Sequence, residues 1–411
     1  MKTKNILYIL LVVFSLTSCN TKVATLVLTN DTDMQRIDEP ILITREKMVS
    51  LLGSIPDNLY PILSSCDGTE IPNQADDVNN DGQWDELAFV MNFDAQEKNT
   101  IHIRFVHKDK VPTYKPRTNV RFAKIIDGGY QEIVSAERIK GMDTKITSKI
   151  LQMEGPAWES DKIAFRHYLD ERSGMDIFGK ITDQMILDSV GINEDYHQMQ
   201  PWGMDILKVG QSLGAGSIAM LIGDSLYRLG SDCACACTLI TEGPVRSMLR
   251  LTYNDWRVLN RTYNITHDIT IWAGSYAYEN MVTIDKTYGD EQLVLGIVNI
   301  HSDSLIFSEY NNDYISISTH DNQAFDGEIL GMSILMNKRD YISKGKTADE
   351  GKGITHTYYA SMQLMTNNPV IYSFYAGWEK SNPDFKIKEK YLDMIQQESM
   401  RKTHPIKIFP K

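Results

Sequence analysis

Apolar and polar residues alternate with period two through segment after segment of this chain, at Thr100–Val106, Val245–Tyr253, Tyr263–Ile271, Asp313–His320 and Val370–Trp378. A strand turns successive side chains to opposite faces, so this pattern specifies sheets with one face buried. Clusters of Asn, Asp and Gly, such as Asn311-Asn312-Asp313 and Asp321-Asn322, punctuate the segments and favour turns. The chain is therefore expected to be mainly β, a large antiparallel β-sandwich with few helices. One short helix is predicted to start near Thr44 and close at Gly53. A C-terminal helix is predicted with Asn382 as cap, Pro383 in the first turn, and Phe385, Tyr391, Leu392 and Ile395 as its apolar stripe.

The 411 residues suffice for one large or two medium domains. We divide them into a leader over 1–18, a β-rich leading region over 19–125, and a main sandwich with its C-terminal helix over 126–411. The boundary near Asp127-Gly128-Gly129 is soft, and the last two parts are compatible with one continuous fold.

The leader carries Lys2 and Lys4 before an apolar run from Ile6 to Leu16, which is too short to span a bilayer. It ends in Leu16-Thr17-Ser18-Cys19, which resembles a bacterial lipobox. The expected mature protein starts at Cys19, lipid-anchored to the bacterial envelope, and touches the membrane only through that lipid. No acidic cluster follows Asn20, which favours the periplasmic face over the cell surface.

A net charge of -12 leaves no basic cluster to neutralise phosphates, so nucleic acid is not an expected partner. The glycines of Gly210-Gln-Ser-Leu-Gly214-Ala-Gly216 lack the strand, helix and ribose-binding acid of a dinucleotide site; they read as backbone bending, and no nucleotide is expected. Cys233, Cys235 and Cys237 would share one strand face with neighbouring Cα atoms roughly 7 Å apart, beyond ordinary disulfide reach. They read as small buried residues, with one bridge to Cys66 left open.

Asp77, Asn79, Asp81 and Asp85, with Gly82, place oxygens and a glycine as an EF-hand loop does. The closing position is Ala88, however, so two readings stand: a structural Ca2+ loop, or a metal-free turn leading into a strand.

Chemistry-bearing residues concentrate between Gly155 and Met220. Glu159 and Asp161 are two apart and would share a face of an extended segment, as a carboxylate pair or cation ligands. The Arg166 fork would hold a sugar carboxylate, or else form a structural salt bridge with Glu159 or Asp170. His197, beside Tyr196 and before Trp202 and Asp205, is the best-placed general acid or base of the nine histidines. Trp158 and Trp202, with Trp272 and Trp378, are candidate sugar-stacking platforms or core tryptophans. His267 has the apolar parity of its strand and reads as a core or cleft-floor residue. His356 and Tyr358 are expected on one strand face, where they would bind substrate.

Four stretches together resemble the bacterial domain-of-unknown-function family numbered 4861: DVNNDGQWDELAF, GPAWESDKIAFRHYLD with DIFGK, DYHQMQPWGMDILKVGQSLGAG, and THTYYASM with FYAGWE. The resemblance covers nearly the whole mature chain. It implies lipoproteins or secreted proteins of polysaccharide-degrading, Bacteroidetes-type bacteria, and a fold similar to galactose-mutarotase-like β-sandwiches. It supplies no reaction and no catalytic residues.

The expectation is a lipid-anchored, carbohydrate-active protein that processes oligosaccharides, including uronic-acid-containing ones, by acid/base chemistry as a lyase or hydrolase. In it His197, Glu159, Asp161 and Arg166 face one cleft, while Trp158, Tyr196, Trp202, Asp205, His267, His356 and Tyr358 contact sugar. Two alternatives stay open. One is a non-catalytic glycan-binding lipoprotein, and the other a sugar epimerase using a Glu and His couple.

Overall fold

The computed structural model describes residues 23–138, 144–230 and 233–411. The leader and Cys19 lie outside the described residues. The fold is mainly β and antiparallel, with a C-terminal helix.

The largest sheet has nine strands, in the order Ser135–Arg138, Ala234–Glu242, Arg246–Val258, Arg261–Trp272, Ala277–Ile284, Val370–Trp378, Leu330–Asn337, Tyr314–Asp321 and Ile306–Tyr310. Two five-stranded sheets pack against it. The first runs Gly203–Asp205, Met175–Lys180, Ile163–His167, Ala157–Ser160, Thr118–Arg121; the second runs Ser225–Arg228, Ala215–Ile222, Glu291–Val298, Thr357–Gln363, Tyr341–Lys346. A bridge between Met175 and Gly214 links the two. Gly214 sits at φ +70°, and a Cβ there would collide with the Met175 carbonyl, so the bridge requires glycine.

The alternation seen in sequence sorts side chains as expected. Along Arg246–Val258, Leu249, Leu251 and Tyr253 are buried in the sandwich, while Arg250 points away and pairs with Asp268 at 2.6 Å. Trp158 and Phe165 meet Tyr278 of the opposite sheet with ring centroids 5.2 and 4.7 Å apart. The candidate stacking tryptophans therefore go to the interior: Trp158 and Trp378 are fully buried, and Trp202 and Trp272 nearly so. Cys233, Cys235 and Cys237 are buried in the same core, whereas free Cys66 is exposed on the leading region, so no bridge joins Cys66 to them.

The leading region forms a smaller sandwich of a five-stranded and a three-stranded sheet around Leu26, Ile43, Leu87, Phe89 and Ile103. Its outermost strand is Lys407–Pro410, from the far end of the chain, paired with Leu26–Thr29. Its short helix spans Arg45–Leu52; the Thr44 hydroxyl accepts from the Lys47 amide at 3.1 Å, and Gly53 closes it at φ 86°. A polar seam joins the sandwiches. Buried Arg246 reaches Asp76 and Glu86, the Gln74 amide bonds the backbone of Val245 and Arg246, and Arg117 bridges Asp38 and Asp161.

At the C-terminus, Asn382 caps a 3-10 turn over Pro383–Lys386, and the α-helix proper spans Lys388–Thr403. Phe385, Tyr391 and Ile395 press onto the outer face of the nine-stranded sheet. Gly331 and Gly377 lie directly beneath Tyr391, where any side chain would overlap its ring.

Candidate functional site

Strand pairing explains how the polar residues of the central block come together. Ala157 pairs with Arg166, Glu159 with Ala164, Arg166 with Asp176, and Phe178 with both Ala164 and Asp205. Paired residues share a face, so Glu159, Arg166, Asp176, Phe178, Lys180 and Asp205 all lie on the outer face of the first five-stranded sheet. Trp158, Phe165 and Ile177 take the opposite parity and fill the core. The long segment 181–202 folds over this outer face and seals it with Ile186, Leu187, Val190 and Trp202 against Ala157, Ala164 and Phe178.

Two polar clusters result, divided by Ala164 and Phe178. In the first, Lys180 Nζ donates to Glu159 Oε2 at 2.6 Å and to the Ser160 carbonyl at 2.7 Å, both side chains being fully enclosed. Burial pushes the Lys180 ammonium below its usual range, against the pull of Glu159. Glu159 Oε1 accepts from the amides of Ile186 and Leu187 at 2.8 and 2.9 Å and from Asn119 at 3.1 Å. Nearby, Gln152 donates to the carbonyls of Leu187 and Val190. This cluster pins the covering segment.

In the second, Arg166 is buried and its fork is filled. Nε and Nη2 bond Asp176, Nη2 also reaches Asp205 at 2.8 Å and the Tyr168 hydroxyl, and Nη1 donates to Tyr196 Oη at 3.2 Å and the Met153 carbonyl. A guanidinium has five N–H groups, and all are occupied. Burial and the neighbouring Asp176 carboxylate push the Asp205 carboxyl well above its usual range, against the pull of Arg166. Above Asp205 lies His197, about half exposed, with Nε2 3.8 Å from Asp205 Oδ2 and Nδ1 3.2 Å from Asp195. The Tyr196 ring centroid lies 4.5 Å from that of the His197 ring, and the Phe325 centroid lies 6.4 Å from it. Phe325 comes from the turn between Tyr314–Asp321 and Leu330–Asn337, tied down by its amide to the Ile206 carbonyl.

The structure thus gathers Arg166, Tyr196, His197 and Asp205, with Trp202 behind them, but not the four expected catalytic groups. Glu159 is closed on Lys180 and the segment it anchors. Asp161 turns to the seam, accepting from Arg117 and from the Gly274 amide. A Glu159 and Asp161 pair is therefore not formed, and no Glu159 and His197 couple exists to serve an epimerase. Arg166 bridges Asp176 and Asp205 where Glu159 or Asp170 was expected, and it has no N–H left for a sugar carboxylate. His267 is buried between the main sheets, bonded to Asn280 at 2.7 Å. His356 has φ 47° and precedes the strand Thr357–Gln363, so it does not share a strand face with Tyr358; it leans towards Asp349 while Tyr358 is buried. Trp158 contacts no surface.

In the 77–85 loop the carboxylates cap the turn. Asp77 accepts from the amides of Asp81 and Gly82, Asp85 from those of Val78 and Asn79, and Asn79 Oδ1 from Asp81. Sequence reasoning assigned no role to Lys180, Tyr168, Gln152 or Phe325. Lys180 carried a signal, since its parity matches Asp176 and Phe178 in the same strand.

A family profile described as Domain of unknown function (DUF4861) matches residues 28–408. The chain belongs to this family. Uncharacterized protein P7 of Formosa agariphila, a similar protein, is 26% identical over 271 residues, which cover 61% of this chain and 66% of that relative. Two solved structures from Enterococcus faecalis share the fold: a protein in the glycosyl hydrolase family 38, with TM-score 0.52 at 9% identity, and an alpha-mannosidase, with TM-score 0.51 at 8% identity. Each match covers 95% of this chain but only 47% and 46% of those proteins, so this DUF4861 chain spans less than half of their length.

Proposed function

We propose that this DUF4861 protein is an envelope-anchored, glycan-recognising protein whose sugar-contacting rim is formed by Tyr196, His197 and Phe325 above Asp205. One observation carries the reading: three partly exposed rings, Tyr196 and His197 from the covering segment and Phe325 from a turn of the nine-stranded sheet, group around an imidazole that stands 3.8 Å from an Asp205 carboxyl held by Arg166. Rings offer flat apolar contact to the C–H faces of a pyranose, while His197, Asp195 and Asp205 offer donors and acceptors to its hydroxyls. The fold shared with the glycosyl hydrolase family 38 chains supports a carbohydrate-related role.

Recognition without turnover is favoured, because three of the four groups expected to do chemistry, Glu159, Asp161 and Arg166, are taken up by partners within the protein. A catalytic reading has one specific support, the Asp205 carboxyl raised by burial beside a solvent-facing imidazole, which is an arrangement suited to proton transfer. Cys19 would attach the mature protein to the membrane, on the periplasmic face.

Purified protein incubated with neutral and uronic-acid-containing oligosaccharides separates these readings. Recognition predicts saturable binding, weakened about tenfold by Phe325→Ala or His197→Ala, with no product. New reducing ends or an unsaturated uronide, lost in His197→Ala, would establish catalysis. Absence of binding to every sugar in the panel would remove the proposal. Cys19→Ala is expected to release the protein from the membrane fraction.

A further inference from the structure

A second concave site lies where the leading sandwich, the main sandwich and the C-terminal helix meet. Its cavity of about 590 Å3 lies within the range of small-molecule sites, and an adjoining cavity of about 330 Å3 shares Pro40, Ser275, Tyr375, Glu398 and Arg401 with it. Neither cavity includes any residue of the rim around His197.

The walls are rigid. Arg117 holds both oxygens of Asp38 at 2.7 Å, and Asp161 accepts from the Gly274 amide at 2.7 Å. Gly274 lies at φ +78°, and a Cβ there would run into the Asp38 carboxylate, so this close approach depends on glycine. Tyr276 and Phe385 meet edge to face with centroids 4.8 Å apart, and buried Tyr375 is hydrogen-bonded to Glu398 at 3.3 Å.

The charges on these walls mostly cancel: Asp38 is paired with Arg117, Glu398 with Arg401, and Asp384 with Lys390. That argues against a strongly charged ligand. Among the described residues, four cavity-lining groups carry neither a side-chain hydrogen bond nor an ion pair: the half-buried Lys162 ammonium, the Tyr276 hydroxyl, the Gln397 amide and the Asp393 carboxylate. They mix donors with acceptors. Beside them lie apolar surfaces from Ile37, Pro40 and Met394. Hydroxyls that both donate and accept, on rings with apolar C–H faces, match this combination.

We propose that this interdomain cleft is a binding site for a neutral oligosaccharide, distinct from the His197 rim. Tyr276 supplies the aromatic wall, and Lys162, Asp393 and Gln397 bond the sugar hydroxyls.

The test titrates the full mature chain with tetrasaccharides of glucose, mannose and xylose, measuring heat and intrinsic fluorescence. Tyr276→Ala is expected to weaken binding about tenfold. Asp393→Ala and Gln397→Ala, both at exposed helix positions that leave the core untouched, are expected to weaken it measurably as well. In Phe325→Ala or His197→Ala, which remove only the rim's share, saturable binding is expected to remain and to be lost when Tyr276→Ala is added. The proposal is overturned if no neutral tetrasaccharide binds, or if binding survives unaltered in the two helix variants and Tyr276→Ala. Complete loss in the Phe325 and His197 variants, with the cleft variants unaltered, would overturn the cleft and leave the rim standing; complete loss in the cleft variants, with the rim variants unaltered, would do the reverse.

Discussion

Glu159 and Lys180 form an ion pair with no access to water, and such pairs are costly to break from one side. Lys180→Met leaves Glu159 enclosed with only neutral donors. It is expected to lower unfolding free energy by about 3 kcal/mol, read from urea denaturation at neutral pH. A change below about 1 kcal/mol would show that the carboxylate is reached by solvent. His267 makes a second residue-scale prediction. Burial lowers its pKa from 6.5 to about 4, opposed by its bond to Asn280 and by the Asp268 charge. His167, close by and also buried, is shifted in the same direction, by burial first and then by Arg138. A base whose folded pKa is depressed takes up its proton in the unfolded chain first. Stability is therefore held above about pH 6.5 and lost as pH falls from there towards about 4, by up to about 3 kcal/mol for His267. Asp205 and Glu39, raised by burial, act in the opposite sense. The readable quantity is thus the difference between the native protein and His267→Phe, whose urea midpoint should fall less over this range; parallel curves would refute the assignment.

Among elements, the covering segment 181–202 has no regular strand of its own and is held by Glu159 from the sheet and Gln152 from the 3-10 turn before it. Gln152→Ala removes two of these anchors and orphans the carbonyls of Leu187 and Val190. Limited proteolysis is expected to cut within 181–202 well before the sandwich unfolds, and unchanged protection would show that apolar contact alone holds the segment. The terminal strand Lys407–Pro410 completes the leading sandwich. Deleting residues 405–411 leaves Ala24–Thr29 as an open edge, and hydrogen exchange is expected to accelerate there and across the leading sandwich, with the nine-stranded sheet unaffected. Strands and caps were legible because their signals are local: Val370–Trp378 has the predicted bounds, and Thr44 and Gly53 close their helix as read. The C-terminal pairing was not, because nothing in Lys407–Pro410 specifies which strand it will join.

At the scale of the whole molecule, a mainly β, antiparallel fold with a short capped helix and a C-terminal helix was readable from local residue patterns. Period-two alternation and turn residues act over a few neighbours, so they can be read without knowing what lies across the sheet. The sequence also concentrates polar residues in the central block, and the structure keeps Arg166, Tyr196, His197 and Asp205 together there. Packing settles which of those residues are left open to solvent. Whether a charged group is open or already paired depends on a partner far along the chain, as Glu159 on Lys180, Asp161 on Arg117 and Arg166 on Asp205 show. The Trp158 ring has the same composition signal as a stacking platform, but strand parity turns it to the core. Phe325 and the interdomain cleft were invisible in sequence for the same reason. Each is assembled from segments brought together by burying apolar surface, and burial is a property of the packed chain, not of any stretch of it.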